Sequence, residues 1–374
     1  MIGISEKECT KRISDIISVM RFPLLLMVVL IHCSMFYRAQ GSVPVPEFAI
    51  RTMYFLSGSM CSVAVPAYFL MSGYLFFGIL GRYRALTRED YRSKLYKRGW
   101  RLLLPYILWN FAGFCMMALF MLTPLKSFFP GLNVNIDFGY FIRCFWSVTD
   151  LHSFFQTAGA PVDDPMWFIR DLIILSVLSP VVEWLLRVTR GWLLVLLTGL
   201  FIAGMWPHLV GFSLTGILFY SVGAWASIAE WRIIPVLSRL WWMPIVAVAC
   251  MITETIVYPV GLQYLHAMSI LTGVAGGLWM AYKVSDNQAL VKRLGSLGNL
   301  GFFIFAFHML ISAEVVSALC MMVRPVSDIS WLLCYFGAYA ILIGVSAILY
   351  HAVGKVFPTL TAMLVGAYSP HKKQ

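Results

Sequence analysis

Two residues near the N-terminus have the types and the spacing that chemistry at a membrane requires. Arg21 and His32 lie eleven residues apart in the apolar segment RFPLLLMVVLIH. One helix would present both side chains on the same face, separated along its axis by roughly 16 Å. A guanidinium at a membrane surface is suited to binding phosphates, and a buried imidazole is suited to taking a proton from a hydroxyl. The alternatives are an arginine that only anchors the helix and a histidine that only hydrogen-bonds to a neighbouring helix.

A second pair of arginines could bind phosphate groups. Arg98 and Arg101 are three residues apart where a predicted span begins, so we expect them on one helical face, and forked guanidiniums match phosphate oxygens. Anchoring of the helix by positive charge explains the same residues equally well.

Polar residues further along the chain are candidates for contacts with a substrate and with the first-helix histidine. Trp167 and Asp171 lie near one end of a predicted span, where an aromatic ring beside an acid would suit a sugar, although interfacial tryptophans are common. Arg170 is adjacent to Asp171, so we expect the two side chains to point in different directions. The group that orients the histidine must come from another helix, and Glu254 and His308 are candidates at membrane depth.

The elements that must hold these residues are predicted to be transmembrane helices. Hydrophobic residues make up 60% of the 374 residues, charged residues make up 12%, and the mean hydropathy is +0.81, a balance that excludes a soluble globular domain. Apolar stretches long enough to span a bilayer fall at 22–37, 54–80, 102–122, 166–186, 193–206, 212–229, 243–260, 265–282, 300–323 and 331–357. We therefore predict an all-α integral membrane protein, a polytopic bundle of about ten transmembrane helices in a single domain over residues 1–357.

The distribution of charge predicts the orientation of the bundle. The net charge is +11, but the Lys and Arg residues form short runs between apolar stretches rather than a basic domain that could bind nucleic acid. With the N-terminus in the cytosol, most of these runs fall inside, as the positive-inside rule requires. Both termini are then cytosolic, with a cytosolic tail at 358–374. Residues 123–165 form an extracytoplasmic loop or cap, whose acids are Asp137, Asp150, Asp163 and Asp164.

Several other reactive side chains are predicted to be structural. The eight cysteines are scattered without metal-ligand spacing, so neither a metal site nor a disulfide framework is expected. We expect the histidines in or near loops and span ends to be interfacial or solvated; these are His152, His208, His266 and His351. No phosphate-binding glycine loop, nucleophile elbow or zinc-protease motif occurs, which argues against nucleotide hydrolases, esterases and zinc proteases.

Taken with the Arg21 and His32 pair, four further segments of the chain resemble the acyltransferase 3 family. That family has an arginine, ten residues and a histidine in its first helix, followed by a Ser-Gly-Tyr segment, a basic Arg-x-x-Arg stretch, a Trp-Phe helix and a late Phe-rich helix ending in His. The corresponding segments here are PAYFLMSGYLFFG (66–78), YKRGWRLLLPY (96–106), PMWFIRDLIILSVLSP (165–180) and LGNLGFFIFAFHML (297–310). Many relatives have an acid three residues before the arginine, where this chain has Ser18, with Asp15 a further turn back.

The resemblance implies a membrane-embedded O-acyltransferase. Such an enzyme would move an acyl group, acetyl being the commonest, from cytosolic acetyl-CoA or another acyl-CoA to a hydroxyl of a cell-envelope glycan or lipid-linked saccharide. It implies His32 as the catalytic base or acyl carrier, with Arg21 as its partner. The donor would be bound by Arg21, Arg98 and Arg101.

The residues themselves suggest the remaining roles. Acceptor contacts would come from Trp167, Asp171, Glu254 and His308, and close packing near the first helix would come from Ser72, Gly73 and Tyr74. The expected partners are acyl-CoA, the glycan acceptor and the lipid bilayer of a bacterial inner membrane, without nucleic acid or metal, and a homo-oligomer is compatible with the sequence. The alternatives from other classes are a transporter or flippase for a lipid-linked sugar or small solute, and a scaffold without turnover.

Overall fold

The computed structural model describes residues 6–34, 45–78, 85–123, 134–148, 159–207, 209–229 and 233–369. Some of the sequence-based predictions fall outside these residues. They are the ends of the first two predicted spans (35–37 and 79–80), two parts of the predicted cap (124–133 and 149–158) with Asp150 and His152, His208, and the end of the predicted tail (370–374).

Every regular element in the described part of the chain is a helix, as predicted. The first half contains α1 (Glu6–His32), α2 (Glu47–Met53), α3 (Ala64–Phe77), α4 (Arg88–Arg98), α5 (Leu104–Leu122), α6 (Phe138–Cys144), α7 (Met166–Val177) and α8 (Ser179–Val188). The second half contains α9 (Trp192–Ala203), α10 (Leu214–Ile228), α11 (Ile233–Arg239), α12 (Met243–Ile256), α13 (Gln263–Val284), α14 (Gln288–Ser296), α15 (Gly298–Val323), α16 (Asp328–Val356) and α17 (Pro358–Leu364). Wider π-helical turns, Tyr54–Met60 and Gly99–Leu103, follow α2 and α4.

Fewer helices qualify as membrane spans than the sequence predicts. Those that are long and apolar enough are Glu8–His32, Glu47–Phe77, Arg88–Leu122, Gly298–Val323 and Asp328–Val356. Two further pairs pass the same test only together and are bent, α8 with α9 by 106° and α11 with α12 by 60°. The described residues therefore hold five to seven candidate spans, and the predicted count of ten is not confirmed.

Most of the difference arises because short apolar helices have the same hydropathy as complete spans; α13, with 22 residues, is long enough but not apolar enough. α9 has 12 residues, α12 has 14 and α10 has 15. At 1.5 Å per residue even the longest measures about 22 Å, less than the ~30 Å hydrocarbon core of a bilayer. The predicted span 166–186 is divided at Leu178, because Pro180 lacks the N–H that would continue α7.

α1 and α15 run side by side through the bundle in the same direction. Near the start of α15, Gly301 packs against Phe22 of α1, and further along both helices His308 reaches His32. The two helices therefore bring a histidine each to one end of the bundle, called here the His32 end. Arg21 lies toward the opposite end, the Arg21 end.

A very close helix crossing joins α3 and α10. A Cβ atom added to Gly73 would lie 2.1 Å from the carbonyl oxygen of Tyr220, and one added to Gly223 would lie 2.0 Å from that of Leu70. Only glycine lets two backbones approach this closely. The sequence-based prediction put the close approach at Gly73 against the first helix; its partner is α10 instead, because Gly223 supplies the matching gap there.

The segment predicted as a tail folds back onto the bundle at the Arg21 end. Trp109 of α5 donates its indole N–H to the carbonyl oxygen of Leu364 at 2.9 Å. Just beyond α17, the rings of Tyr368 and Trp100 are 5.6 Å apart. Residues 358–369 are thus part of the folded domain.

Candidate functional site

Two histidines from parallel helices meet at the His32 end of the bundle. Nδ1 of His32 lies 3.1 Å from Nε2 of His308, and the ring centroids are 5.0 Å apart. His308 is fully buried, whereas the His32 side chain is 10% exposed. The sequence analysis named Glu254 and His308 as candidates to orient His32. In the structure, His308 contacts His32.

Backbone carbonyl groups determine which nitrogen of each ring carries a proton. Nδ1 of His308 lies 3.0 Å from the Ile304 oxygen, so it donates there and leaves Nε2 as an acceptor. Nδ1 of His32 lies 2.9 Å from the Val28 oxygen and also faces that acceptor, so it must carry the proton of a neutral ring. We assign both tautomers from this hydrogen-bond pattern. Nε2 of His32 is then the basic nitrogen, which can take a proton or bind an acyl group.

Two adjacent aspartates complete the polar cluster around His32. A carboxylate oxygen of Asp164 lies 3.8 Å from Nε2 of His32, and the Asp164 side chain is 9% exposed. Asp163 is fully buried, and neither of its carboxyl oxygens has a hydrogen-bond partner among the described residues. Burial raises the pKa of the Asp163 carboxyl well above its usual range, and the neighbouring Asp164 raises it further. We therefore treat Asp163 as the neutral member of the pair; Asp164 is the member whose carboxyl group faces the histidine.

Backbone hydrogen bonds hold the aspartates from two sides. The amide of Asp163 donates to the side-chain oxygen of Asn110 in α5 at 3.3 Å, and Asn110 in turn donates to the carbonyl oxygen of Tyr106 at 2.8 Å. On the other side, the amide of Val162 donates to the carbonyl oxygen of Cys144 in α6 at 3.0 Å. The described part of the predicted cap is thus fixed against α5 at the histidine pair.

Arg170 and Asp171 of α7 form a buried ion pair, so the expectation that they point in different directions is wrong. Nη2 of Arg170 lies 3.0 Å from Oδ1 of Asp171, whose other oxygen accepts the amide of Ser213 at 3.2 Å. The arginine side chain is long enough to curl back to its neighbour, and burial of both groups favours the pairing. The guanidinium also donates to the carbonyl oxygens of Trp146 and Gly159, in the segments that lead to the aspartates. Asp171, predicted to contact the acceptor, has both oxygens engaged within the protein.

The Arg21 end carries two exposed arginine residues whose charges interact. Arg21 and Arg101 both lie at the surface, near enough for their charges to interact. The hydroxyl of Tyr68 in α3 donates to the carbonyl oxygen of Arg21 and ties α1 to α3 at this level. Two like charges held near each other favour an anion between them.

Arg98 is engaged inside the bundle, whereas Arg101 is exposed. Its guanidinium donates to the carbonyl oxygen of Ser72 at 2.9 Å and to the hydroxyl of Ser176. The sequence-based expectation of one shared helical face assumed an α-helix. The π-helical turn that follows Arg98 has more residues per turn, so a spacing of three no longer aligns the two side chains.

The remaining residues predicted to contact the acceptor make contacts within the bundle. One oxygen of Glu254 accepts the Tyr54 hydroxyl at 3.0 Å and lies 2.8 Å from Nδ1 of His266. Glu254 therefore pairs with His266 and not with the first-helix histidine. Trp167 lies three residues after Asp164 in the chain. The centroid of its ring lies 6.4 Å from that of Phe69 in α3.

Sequence reasoning did not select the two aspartates at the histidine pair. Asp163 and Asp164 were noted only among the acids of the predicted cap. The available signal was a pair of adjacent acids directly before the start of a Trp-Phe helix, where the chain must return to the bundle. Nothing in the sequence indicates that this return passes beside His32.

Comparison with known proteins identifies the family of this chain. The sequence profile of the acyltransferase 3 family, described as an acyltransferase domain, matches residues 15–365. The chain belongs to the acyltransferase 3 family. The acyltransferase 3 domain therefore includes Arg21, the histidine pair, both aspartates and α17.

A curated relative has nearly the same length. The chain is 27% identical over 379 residues to the succinoglycan biosynthesis protein ExoH of Rhizobium meliloti, which covers 96% of this chain and 94% of that protein. No solved structure gives a significant match. Membership of the acyltransferase 3 family and the long apolar helices together describe a multi-pass membrane acyltransferase.

Proposed function

We propose that this protein is an O-acyltransferase of the bacterial inner membrane. It moves an acyl group, most simply acetyl, from cytosolic acyl-CoA to a hydroxyl of a cell-envelope glycan or lipid-linked saccharide. The observation that carries the proposal is the imidazole of His32 in a chain of the acyltransferase family: its Nδ1 contacts His308, and its Nε2 faces Asp164. An imidazole whose Nδ1–H is held by acceptors leaves Nε2 to take a proton from a hydroxyl, and a carboxylate 3.8 Å away can stabilise the imidazolium that forms.

In direct transfer, His32 acts as a general base and then as a general acid. Nε2 takes the hydroxyl proton while the acceptor oxygen attacks the carbonyl carbon of the thioester. The carbon–sulfur bond breaks, and the imidazolium returns the proton to the leaving thiolate, so the products are free CoA and an acyl ester. Asp164, 3.8 Å from Nε2, stabilises the imidazolium between these steps.

His32 can instead carry the acyl group itself. Nε2 then attacks the thioester, and CoA leaves as the thiolate, which takes a proton from solvent. In a second step the acceptor hydroxyl attacks the acyl-imidazolium, the bond between the acyl carbon and Nε2 breaks, and the hydroxyl proton goes to solvent. Donor and acceptor bind in turn on this route, so steady-state kinetics of the ping-pong type distinguish it from direct transfer.

The donor phosphates are assigned to Arg21 and Arg101. Both residues are exposed and their charges interact on the side of the bundle opposite to the His32 end, and roughly 16 Å of helix separates Arg21 from the imidazole. Phosphates can then remain at the membrane surface while the thioester extends into the bundle. We leave Arg98 out of this assignment because its guanidinium is already bound to Ser72 and Ser176.

The proposed class of acceptor rests on the relative. The Rhizobium meliloti protein is named for the biosynthesis of succinoglycan. A polysaccharide offers many hydroxyl groups, and a hydroxyl is what the basic nitrogen of His32 requires.

Release of CoA thiol from acetyl-CoA tests the proposal. Purified protein in liposomes, supplied with a crude cell-envelope glycan extract, should release thiol, and the rate should rise with the extract. His32→Ala should abolish the release. His266→Gln is the matched control, because it removes an imidazole at another site, where the partner is Glu254.

Two outcomes would contradict the proposal. Equal thiol release by wild type and His32→Ala would show that the site is wrong. If wild type releases no thiol from several acyl donors but moves an unmodified lipid-linked sugar across the bilayer, the protein is a transporter.

A further inference from the structure

A cavity of about 390 Å³ lies at the Arg21 end, away from the histidine pair. It opens to the surface and lies between the start of α15, the end of α16 and α17. Its polar lining residues are Asn299, Tyr350, His351, Lys355 and Thr361. The volume is within the usual range for sites that bind small molecules.

The lining of this cavity is suited to an anion. His351 and Lys355 are one helical turn apart on α16, so both side chains project from the same face. None of the lining residues that the structure describes is acidic. Within that part of the chain, the Lys355 ammonium has no ion-pair or hydrogen-bond partner, and the Asn299 amide also has none.

The wall formed by the C-terminal segment is fixed in place. Leu364 is bound through its carbonyl oxygen to Trp109, and the hydroxyl of Thr361 donates to the carbonyl oxygen of Phe357 at 3.0 Å. Just after α17, Gly366 has a φ of +67° and packs directly on the backbone of Arg101. The segment thus separates the cavity from the turn that carries Arg101.

We propose that this cavity binds a phosphate-bearing anion, with Lys355 as its main cationic contact and Asn299 as a hydrogen-bond donor. Two sources supply this chemistry at a membrane surface: the headgroup of an anionic phospholipid, or a phosphate of the acyl-CoA donor. The second source rests on the proposed function, whereas the first does not.

Binding to purified full-length protein tests the inference without any turnover. The probes are adenosine 3′,5′-bisphosphate, measured by calorimetry, and phosphatidylglycerol in phosphatidylcholine micelles, measured by native mass spectrometry. We expect wild type to bind one of the two and Lys355→Gln to bind it roughly tenfold more weakly, the usual effect of losing a charged hydrogen bond. Asn299→Ala should weaken the binding of the same probe. Lys292→Gln is the matched control, because Lys292 is also an exposed lysine but does not line the cavity.

The two probes separate the outcomes. If Lys355→Gln loses only nucleotide binding, the ligand is the donor. If it loses only lipid binding, the cavity is a phospholipid site. The inference is overturned if wild type binds neither probe, or if Lys355→Gln binds no more weakly than Lys292→Gln. A failure of the proposed acyl transfer is read separately, from thiol release by wild type and His32→Ala.

Discussion

The chemistry assigned to His32 depends on which ring nitrogen carries its proton. Two acceptors, the Val28 carbonyl oxygen and Nε2 of His308, compete for the hydrogen on Nδ1. A proton on Nε2 would leave both acceptors without a donor inside the bundle, where unmade hydrogen bonds are costly. The surroundings therefore keep Nε2 basic and directed at Asp164 before any substrate arrives.

Replacement of each aspartate by asparagine should separate their roles. Asp164→Asn removes the charge that stabilises the imidazolium, so we expect kcat to fall by about 10²-fold or more. Asp163→Asn replaces a neutral buried carboxyl with a neutral group of nearly the same shape, so the rate should stay close to wild type. Thiol release by the two variants measures the difference. Equal losses would mean that Asp163 is charged in the working enzyme.

His308 should act as a positioning residue for His32. His308→Leu removes one acceptor from Nδ1, but the Val28 oxygen remains, so the ring loses orientation rather than its tautomer. We expect kcat to fall between about 10- and 100-fold, with little change in KM for the donor. His308→Gln, whose amide oxygen can accept the same hydrogen bond, should recover part of the rate and the wild-type pH profile. A loss as large for Gln as for Leu would contradict this role.

At the scale of residues, the sequence predicts the relative positions of functional side chains that share one helix. The spacing of Arg21 and His32 depends only on helical geometry, so it could be seen without a structure. The role of Asp164 depends on the path of a loop, and the separation of Arg98 from Arg101 depends on a local π-helical turn. Neither feature has a periodic pattern that the sequence displays.

At the scale of elements, the site is built by helices that approach at glycines and by a loop that an arginine holds. α1 and α15 come together where Gly301 meets Phe22, and their parallel course aligns the two histidines. Arg170 connects α7 to the carbonyl oxygens of Trp146 and Gly159. The return loop with its two aspartates therefore depends on α7 for its position.

The crossing of α3 and α10 should be the most sensitive of these contacts to an added methyl group. Gly73→Ala would force a Cβ atom against the backbone of Tyr220, which cannot move as a side chain can, so we expect a loss of at least about 1–3 kcal/mol in the free energy of unfolding. The thermal midpoint in detergent, followed by tryptophan fluorescence, measures it. Gly277→Ala in α13 is the control, because an added Cβ there meets nothing within 4 Å. It should be neutral or stabilising by up to about 1 kcal/mol, and equal midpoints for the two variants would contradict the packing argument.

For the molecule as a whole, composition predicts the class of protein, and the structure agrees in the part it describes. Each of the ten predicted apolar stretches contains a helix, but hydropathy cannot say where a helix breaks or bends. The break between α8 and α9, bent by 106°, contains Arg190 and Gly191 with φ values of +51° and +86°, and no average over a window detects such a turn. The number of spans was therefore less predictable than the helical content.

The separation of Arg21 from His32 predicts the side of the membrane from which the donor enters the protein. If donor phosphates bind at the Arg21 end, acyl-CoA must arrive from the side of the membrane on which that end lies, which the distribution of positive charge predicts to be the cytosol. Acyl-CoA carries several negative charges and does not cross a sealed bilayer. Sealed inside-out vesicles should therefore release thiol when acetyl-CoA is added outside, whereas right-side-out vesicles should release it only after detergent opens them. The reverse pattern would overturn the predicted orientation, and equal rates in both sealed preparations would remove Arg21 from the path of the donor.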